Sequence, residues 1–149
     1  MEWWGDCCEQ GNLQTALQAM QEDCAHCIAD GSFEESFGAA AFQLMAHSCN
    51  PQPFAHANQM PRTAKDVDPF WAEMGGITGC LKQMNWFCRV HNDMSGRAHM
   101  GCDCDSVLIC IFEPEFNNPN WTHYDLMEEV HKESFGRQSS GMTSHLGER

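Results

Sequence analysis

Two cysteine–histidine pairs near the middle of the chain contain the residue types best suited to chemistry. Two residues separate Cys88 from His91, two separate His99 from Cys102, and seven lie between the pairs. A zinc ion prefers four nitrogen or sulfur ligands in a tetrahedron, and short pairs of this kind can hold one ion from two sides. The sequence therefore predicts a zinc site formed by Cys88, His91, His99 and Cys102.

Disulfide bonds are the competing interpretation of the cysteines. Ten cysteines in 149 residues permit five bonds and favour an oxidising compartment. Met1 is followed by Glu2 and two tryptophans, so the sequence as given begins with neither a signal peptide nor a basic transit peptide. The compartment and the start of the mature chain therefore stay open. The disulfide candidates are Cys7, Cys8, Cys24, Cys27, Cys49, Cys80, Cys104 and Cys110.

A short segment around His91 resembles secreted phospholipase A2. Phe87-Cys-Arg-Val-His-Asn-Asp93, followed by Cys102-Asp-Cys-Asp105, is similar to that family's Cys-Cys-x-x-His-Asp helix and its later Cys-x-Cys-Asp segment. The resemblance implies a disulfide-rich hydrolase in which His91 is the base and Asp93 binds calcium. Phe87 stands at the family's first cysteine, and Asn92 turns Asp93 about 100° around the helix, which predicts an inactive relative.

The net charge of the chain limits the classes of partner that we expect it to bind. The net charge is −13, and the first 61 residues contain eight acids and no lysine or arginine. Nucleic acids and anionic lipids both attract the opposite sign, so we expect no nucleic-acid partner. No apolar run approaches the roughly 18 residues needed to cross a membrane, although peripheral contact with a membrane complex stays open.

Apolar spacing in the first third predicts two helices. Asn12 is an expected N-cap, and apolar residues follow at three- and four-residue spacings up to Ile28. Asp30-Gly31 is interpreted as a helix stop, and Ser32 begins a capping box for a second helix that ends near Cys49. An antiparallel αα-hairpin with its turn at 30–32 would bring Cys49 beside Cys7 or Cys8, in bonding distance of one of them.

Further helices are expected beyond a proline-rich linker at 50–69. Asp68 and Pro69 predict the start of a long third helix, in which Gly75-Gly76 indicates either a kink or a close backbone neighbour; the predicted fold adopts the kinked helix. Val107–Phe112 is interpreted as a buried strand or a short helix, and Thr122 as the N-cap of a last helix.

These patterns predict a mainly α-helical, cysteine-rich domain over 1–136 with at most one short strand pair, and a polar tail over 137–149. The expected function is a non-catalytic accessory or structural subunit. It would dock on a larger protein assembly through an acidic surface that carries exposed tryptophans. The alternatives are a small zinc protein and the phospholipase-like hydrolase, with zinc the only cofactor proposed.

Overall fold

The computed structural model describes residues 7–35, 37–46, 54–60, 68–91, 98–113, 118–135 and 145–146. Six strands and four helices lie in these ranges. In chain order they are β1 (Cys7–Gln10), α1 (Leu13–Gln21), β2 (Ala25–Glu34), β3 (Phe37–Ala46), β4 (Phe54–Gln59), α2 (Pro69–Val90), β5 (Ala98–Cys102), α3 (Asp105–Phe112), α4 (Tyr124–Phe135) and β6 (His145–Leu146). The prediction of a mainly α-helical fold is therefore wrong, and the fold is mixed α/β.

The strands form one mixed sheet in the order β1-β4-β3-β2-β5-β6. The pairs β1–β4, β3–β4 and β2–β3 are antiparallel, whereas β2–β5 and β5–β6 are parallel. Strand β2 thus lies between an antiparallel hairpin partner and a parallel partner that follows α2. Because of this central position, residues of β2 have neighbours on both β3 and β5.

One core joins the helices to the inner face of the sheet. Buried residues from all four helices and from the inward-facing positions of the strands belong to a single apolar cluster. Along β2, Ala25, Cys27 and Ala29 are buried, while Ile28 and Asp30, which alternate with them, are exposed. Alternation of this kind is the pattern of a strand with one face on a core.

The predicted αα-hairpin is wrong, and the reason lies just after α1. Asn12 does cap α1, since its side chain accepts the backbone N–H of Thr15. The helix ends at Gln21, and Asp23 adopts a left-handed conformation with φ of 54°, which short polar residues tolerate. The spacing of the apolar residues after Asp23 fits the period of two of a strand as well as the period of a helix. Pairing with β3 on one edge and with β5 on the other stabilises the strand.

The prediction of a long helix starting at Asp68 and Pro69 is confirmed by α2. Asp68 accepts the backbone N–H of Trp71 through its side chain, and Pro69 occupies the first turn. The helix runs for 22 residues across the glycines, which lie against strands. A Cβ added at Gly76 would lie 2.9 Å from the carbonyl oxygen of Ala41. Of the two alternatives for these glycines, the close backbone neighbour is the one observed.

Some of the remaining predictions agree with the structure and others do not. The 107–112 segment is part of helix α3, and the expected last helix is present as α4. Strand β4 lies within the segment interpreted as a linker, and β6 lies within the polar tail. Among the described residues, no helix is both long and apolar enough to cross a membrane.

Candidate active site

Three carboxylates from different parts of the chain converge where β5 ends beside the middle of β2. Asp30 is on β2, Glu73 is on the second turn of α2, and Asp103 directly follows β5. Ala29 and Cys102 are register partners in the parallel pair of β2 and β5. The next residue of the chain after each of these two is an aspartate, so Asp30, which is still within β2, and Asp103, which directly follows β5, are neighbours where β5 ends.

Helix α2 is held against β2 at this end by a glycine. The backbone N–H of Gly31 donates a hydrogen bond of 3.0 Å to Oε2 of Glu73. A Cβ added at Gly31 would collide with the backbone of Ala72 and Glu73. The absence of a side chain therefore permits the approach that seats Glu73 above the strand.

The electrostatics of Glu73 reflect its neighbours. Burial is the main cause that raises the pKa of this carboxyl above its usual value, and the charges of Asp103 and Asp30 add to it. The hydrogen bond from Gly31 opposes them by stabilising the ionised form. Three acids held together in this way gain from a bound cation, which would relieve their mutual repulsion.

A thiol lies in the same group. Sγ of Cys102 is 4.0 Å from Oε2 of Glu73. Burial, followed by the charges of Glu73, Cys104 and Asp103, raises the pKa of Cys102 to about 11, while the backbone N–H of Cys104 opposes the shift. Cys102 is therefore a neutral thiol at neutral pH when no cation is bound.

The donor atoms fit a divalent cation. Glu73, Cys102 and Asp103 each offer a ligand atom, and these atoms lie within 4.8 Å of one another. Within the described part of the chain, this is the one group of three or more such residues that meets that spacing. Carboxylate oxygens are the ligands preferred by Mg²⁺ and Mn²⁺, so Glu73 and Asp103 fit a hard cation, and Asp30 is near enough for its charge to raise the pKa of Glu73.

The four residues of the predicted zinc site lie in different places. Cys88 is buried in α2, His91 is the C-cap of that helix, and the ring of His99 stacks on His26 of the adjacent strand with centroids 5.3 Å apart. Of the four, Cys102 lies in the group formed with Glu73 and Asp103. Zinc binding by the full set of four has not been tested and stays a prediction.

The cysteines are mostly reduced in the described residues. Cys27 and Cys80 form a disulfide that joins β2 to α2. The other described side chains are thiols, namely those of Cys24, Cys88, Cys102, Cys104 and Cys110. Cys49 lies outside the described residues, so its predicted bond to Cys7 or Cys8 stays a prediction, although the helical hairpin that motivated it is absent.

Sequence reasoning missed all three carboxylates as site residues. Asp30 was assigned to a helix stop because Asp-Gly is also a common helix-ending dipeptide. The alternation of residues from Ala25 to Asp30 was the available signal, since it fits a strand in which Asp30 is on the face away from the buried Ala25, Cys27 and Ala29. The glycines of α2 were a second signal, because a helix that keeps them needs a close neighbour.

Two solved structures with a similar fold are RNase H1 proteins. RNase H1 from the halophilic archaeon Halobacterium salinarum NRC-1 has a TM-score of 0.57 at 11% identity, over 80% of this chain and 81% of that one. LC11-RNase H1, isolated from compost by a metagenomic approach, has a TM-score of 0.50 at 12% identity, over 85% and 86% of the two chains.

The third similar structure is the foamy viral protease-reverse transcriptase in complex with an RNA/DNA hybrid. Its TM-score is 0.57 at 13% identity, and the match covers 85% of this chain and 18% of that one. No protein-family description and no curated protein sequence matches the chain. At these identities the likenesses establish the fold, and the chain has an RNase H-like fold.

These likenesses contradict three predictions. A non-catalytic docking subunit, the absence of an enzymatic role and the exclusion of nucleic acid all fail against a fold that RNase H1 proteins use. The phospholipase-like hydrolase is wrong for the same reason, and His91 is placed at the end of α2 and not in the carboxylate group. Bulk negative charge opposes nonspecific attraction to nucleic acid, but it does not oppose contact made through bound cations.

Proposed function

We propose that this chain is a divalent-cation-dependent nuclease that acts on RNA/DNA hybrids. The observation that carries the proposal is the convergence of Asp30, Glu73 and Asp103 where β5 ends beside β2, on an RNase H-like fold. The reaction is hydrolysis of a phosphodiester, in which water attacks phosphorus and one P–O ester bond breaks. The similar solved structures support the hybrid as substrate, since one of them is bound to it.

The carboxylates would hold the cation in two different ways. Glu73 is oriented by the N–H of Gly31 and is partly buried, so its position is fixed before a ligand arrives. Asp30 and Asp103 are exposed, and they supply oxygen atoms on the solvent side. A divalent cation bound there supplies Lewis-acid polarisation of the phosphoryl group and neutralises developing negative charge.

The fold supplies rigidity to this arrangement. Asp68 caps α2 through Oδ1, and its Oδ2 lies 2.9 Å from Nε2 of the buried His123. The start of α2 is therefore fixed on one side by the region before α4 and on the other by Gly31. Positioning of this kind matters because displacements of about 1 Å at a reacting centre cost large factors in rate.

The acidity of the chain has a consequence for substrate binding. With a net charge of −13, the protein as a whole repels a polyanion, so divalent cations must mediate much of the contact. Binding of the hybrid should therefore depend on the divalent cation as well as on the shape of the duplex.

The test is cleavage of an end-labelled RNA/DNA hybrid by the purified chain in Mg²⁺ or Mn²⁺, beside RNA and DNA duplexes of the same sequence. We expect cleavage of the hybrid that chelation abolishes. Asp30→Asn and Asp103→Asn should each lower the rate by at least about a hundredfold, as loss of a transition-state interaction of this class does.

The matched control is Glu128→Gln, which removes one negative charge from an exposed residue of α4. It should cleave at the rate of the unmodified chain. The proposal would be refuted if the folded chain cleaved none of the three duplexes. It would also be refuted if Asp30→Asn and Asp103→Asn cleaved the hybrid as fast as the unmodified chain.

A further inference from the structure

Cys102 gives the candidate site a ligand that a site of oxygen atoms alone lacks. Its sulfur belongs to the group whose ligand atoms lie within 4.8 Å of one another, together with Glu73 and Asp103. It is 4.0 Å from the same Glu73 oxygen that Gly31 holds. A cation coordinated by Glu73 and Asp103 would therefore lie within reach of a sulfur atom.

We propose that Cys102, Glu73 and Asp103 bind thiophilic divalent cations, of the class of Zn²⁺, Cd²⁺ and Co²⁺, and that these cations displace Mg²⁺ and inhibit cleavage. The binding follows from the donor atoms alone, whereas the inhibition rests on the proposed function. Two cation classes would thus use overlapping ligands, and the metal supplied would decide whether the site is active.

The preference follows from the chemistry of the ligands. Mg²⁺ binds oxygen and gains little from sulfur, so it leaves the thiol protonated. A softer cation forms a metal–sulfur bond, and the S–H bond of Cys102 breaks with its proton passing to solvent water or buffer. No oxidant or reductant takes part, because the sulfur keeps its oxidation state.

The position of the sulfur is fixed by the backbone. Cys102 is the last residue of β5, and the N–H of Cys104 lies 3.4 Å from its Sγ. The substitution Cys102→Ser retains the size and a hydrogen-bond acceptor, so it removes the soft ligand with little change to the strand end. The variant should therefore fold.

A neighbouring thiol supplies the matched control. Cys104 lies two residues further, is also partly buried, and its Sγ is 3.1 Å from Oγ of Ser106. It does not belong to the ligand group within 4.8 Å. Cys104→Ser thus removes one thiol from the same loop and leaves the proposed ligands in place.

The first measurement is absorption spectroscopy of the full chain titrated with Co²⁺, which requires no activity. We expect a sulfur-to-cobalt charge-transfer band in the unmodified chain and in Cys104→Ser, and its loss in Cys102→Ser. Affinity for Co²⁺ should fall by about tenfold or more in Cys102→Ser, at least the loss that removal of a group supporting a metal site causes. A band that persists in Cys102→Ser, or is lost only in Cys104→Ser, overturns the proposal.

The second measurement is cleavage of the hybrid in constant Mg²⁺ with increasing Cd²⁺. Measured against its own rate in Mg²⁺ alone, Cys102→Ser should require about tenfold or more Cd²⁺ for half-inhibition, since it retains the oxygen ligands but not the sulfur. Equal inhibition of the two chains overturns the inhibitory part. A cobalt band that depends on Cys102 in a chain without cleavage would uphold the cation site and refute the nuclease instead.

Discussion

The backbone N–H of Gly31 and Oε2 of Glu73 are 3.0 Å apart, and this bond joins the strand that carries Asp30 to the helix that carries Glu73. This hydrogen bond supplies a donor to one oxygen of the partly buried Glu73 carboxylate and fixes the orientation of the Glu73 side chain. A glycine is required because α2 lies directly on the strand at this point.

The first prediction is that Gly31→Ala destabilises the fold and abolishes cleavage. Its added methyl group must push α2 away from β2, which costs about 1–3 kcal/mol or more in the free energy of unfolding. Urea denaturation measures this loss. The control is Gly101→Ala on the neighbouring strand, where the nearest atom to an added Cβ is 3.9 Å away, and we expect little change. Equal stability of the two variants would show that the contact of α2 with Gly31 is not restrictive.

The second prediction concerns the disulfide between Cys27 and Cys80, which are 53 residues apart in sequence and fully buried. The double variant Cys27→Ala/Cys80→Ala should lose about 2–4 kcal/mol, because a closed loop of this size restricts the unfolded chain. Thermal unfolding with and without reductant measures the loss.

The matched control for the disulfide is the double variant Cys88→Ala/Cys110→Ala, which removes two buried thiols. It loses sulfur volume but no crosslink, so it should be less destabilised and should still respond to reductant. If reductant leaves the melting temperature of the unmodified chain unchanged, the bond between Cys27 and Cys80 does not stabilise the protein.

The third prediction follows from the raised pKa of Glu73. The folded chain holds this proton more tightly than the unfolded chain, so ionisation of Glu73 costs stability at pH values above its folded pKa. Glu73→Gln should therefore unfold at an equal or higher temperature near neutral pH, with the difference shrinking as the pH falls below the folded pKa and vanishing below the ordinary pKa of glutamate. The same variant should not cleave the hybrid. This account is contradicted if Glu73→Gln melts at a lower temperature than the unmodified chain at neutral pH but not in acid.

The fourth prediction has the opposite sign and concerns Glu129. Its pKa is lowered chiefly by a hydrogen bond with Lys82 of α2, whose Nζ is 2.7 Å away. This contribution is present above the ordinary pKa of glutamate and is lost as the pH falls through the lower folded value. Glu129→Gln should cost about 0.2–1 kcal/mol at neutral pH, the range for a pair near the surface, and nothing in strong acid. The control is Glu128→Gln, on the adjacent exposed residue, which should lose less stability at neutral pH in the same urea titrations.

The elements best predicted from sequence were those with local end signals. Asn12 and Asp68 each cap a helix as expected, because capping depends on the residues next to the cap. The strands were missed because Ala25–Ala46 contains few β-branched residues and its apolar spacing fits two periods. Which period applies is decided by pairing with residues far along the chain, such as Ala98–Cys102.

The candidate site could not be predicted from the sequence for the same reason. Asp30, Glu73 and Asp103 are distant in sequence, and only the parallel pairing of β2 with β5 and the packing of α2 on Gly31 bring them together. The cysteines and histidines that drew attention are close in sequence. Proximity in sequence proved a poor guide to proximity in space, except for Cys102, which lies beside Asp103.

The parallel pairing of β2 with β5 also determines the order in which the chain can assemble. Strands β2, β3 and β4 are sequential antiparallel neighbours, whereas β5 reaches β2 only after a linker and the whole of α2. Closing the longer loop costs more entropy, so we expect the three-stranded meander to form first and β5 to dock late. Asp103 would then join Asp30 and Glu73 in the last step, and a partly folded chain would bind divalent cations poorly. Pulsed hydrogen exchange during refolding tests this, and protection of β5 before β3 and β4 would reverse the order.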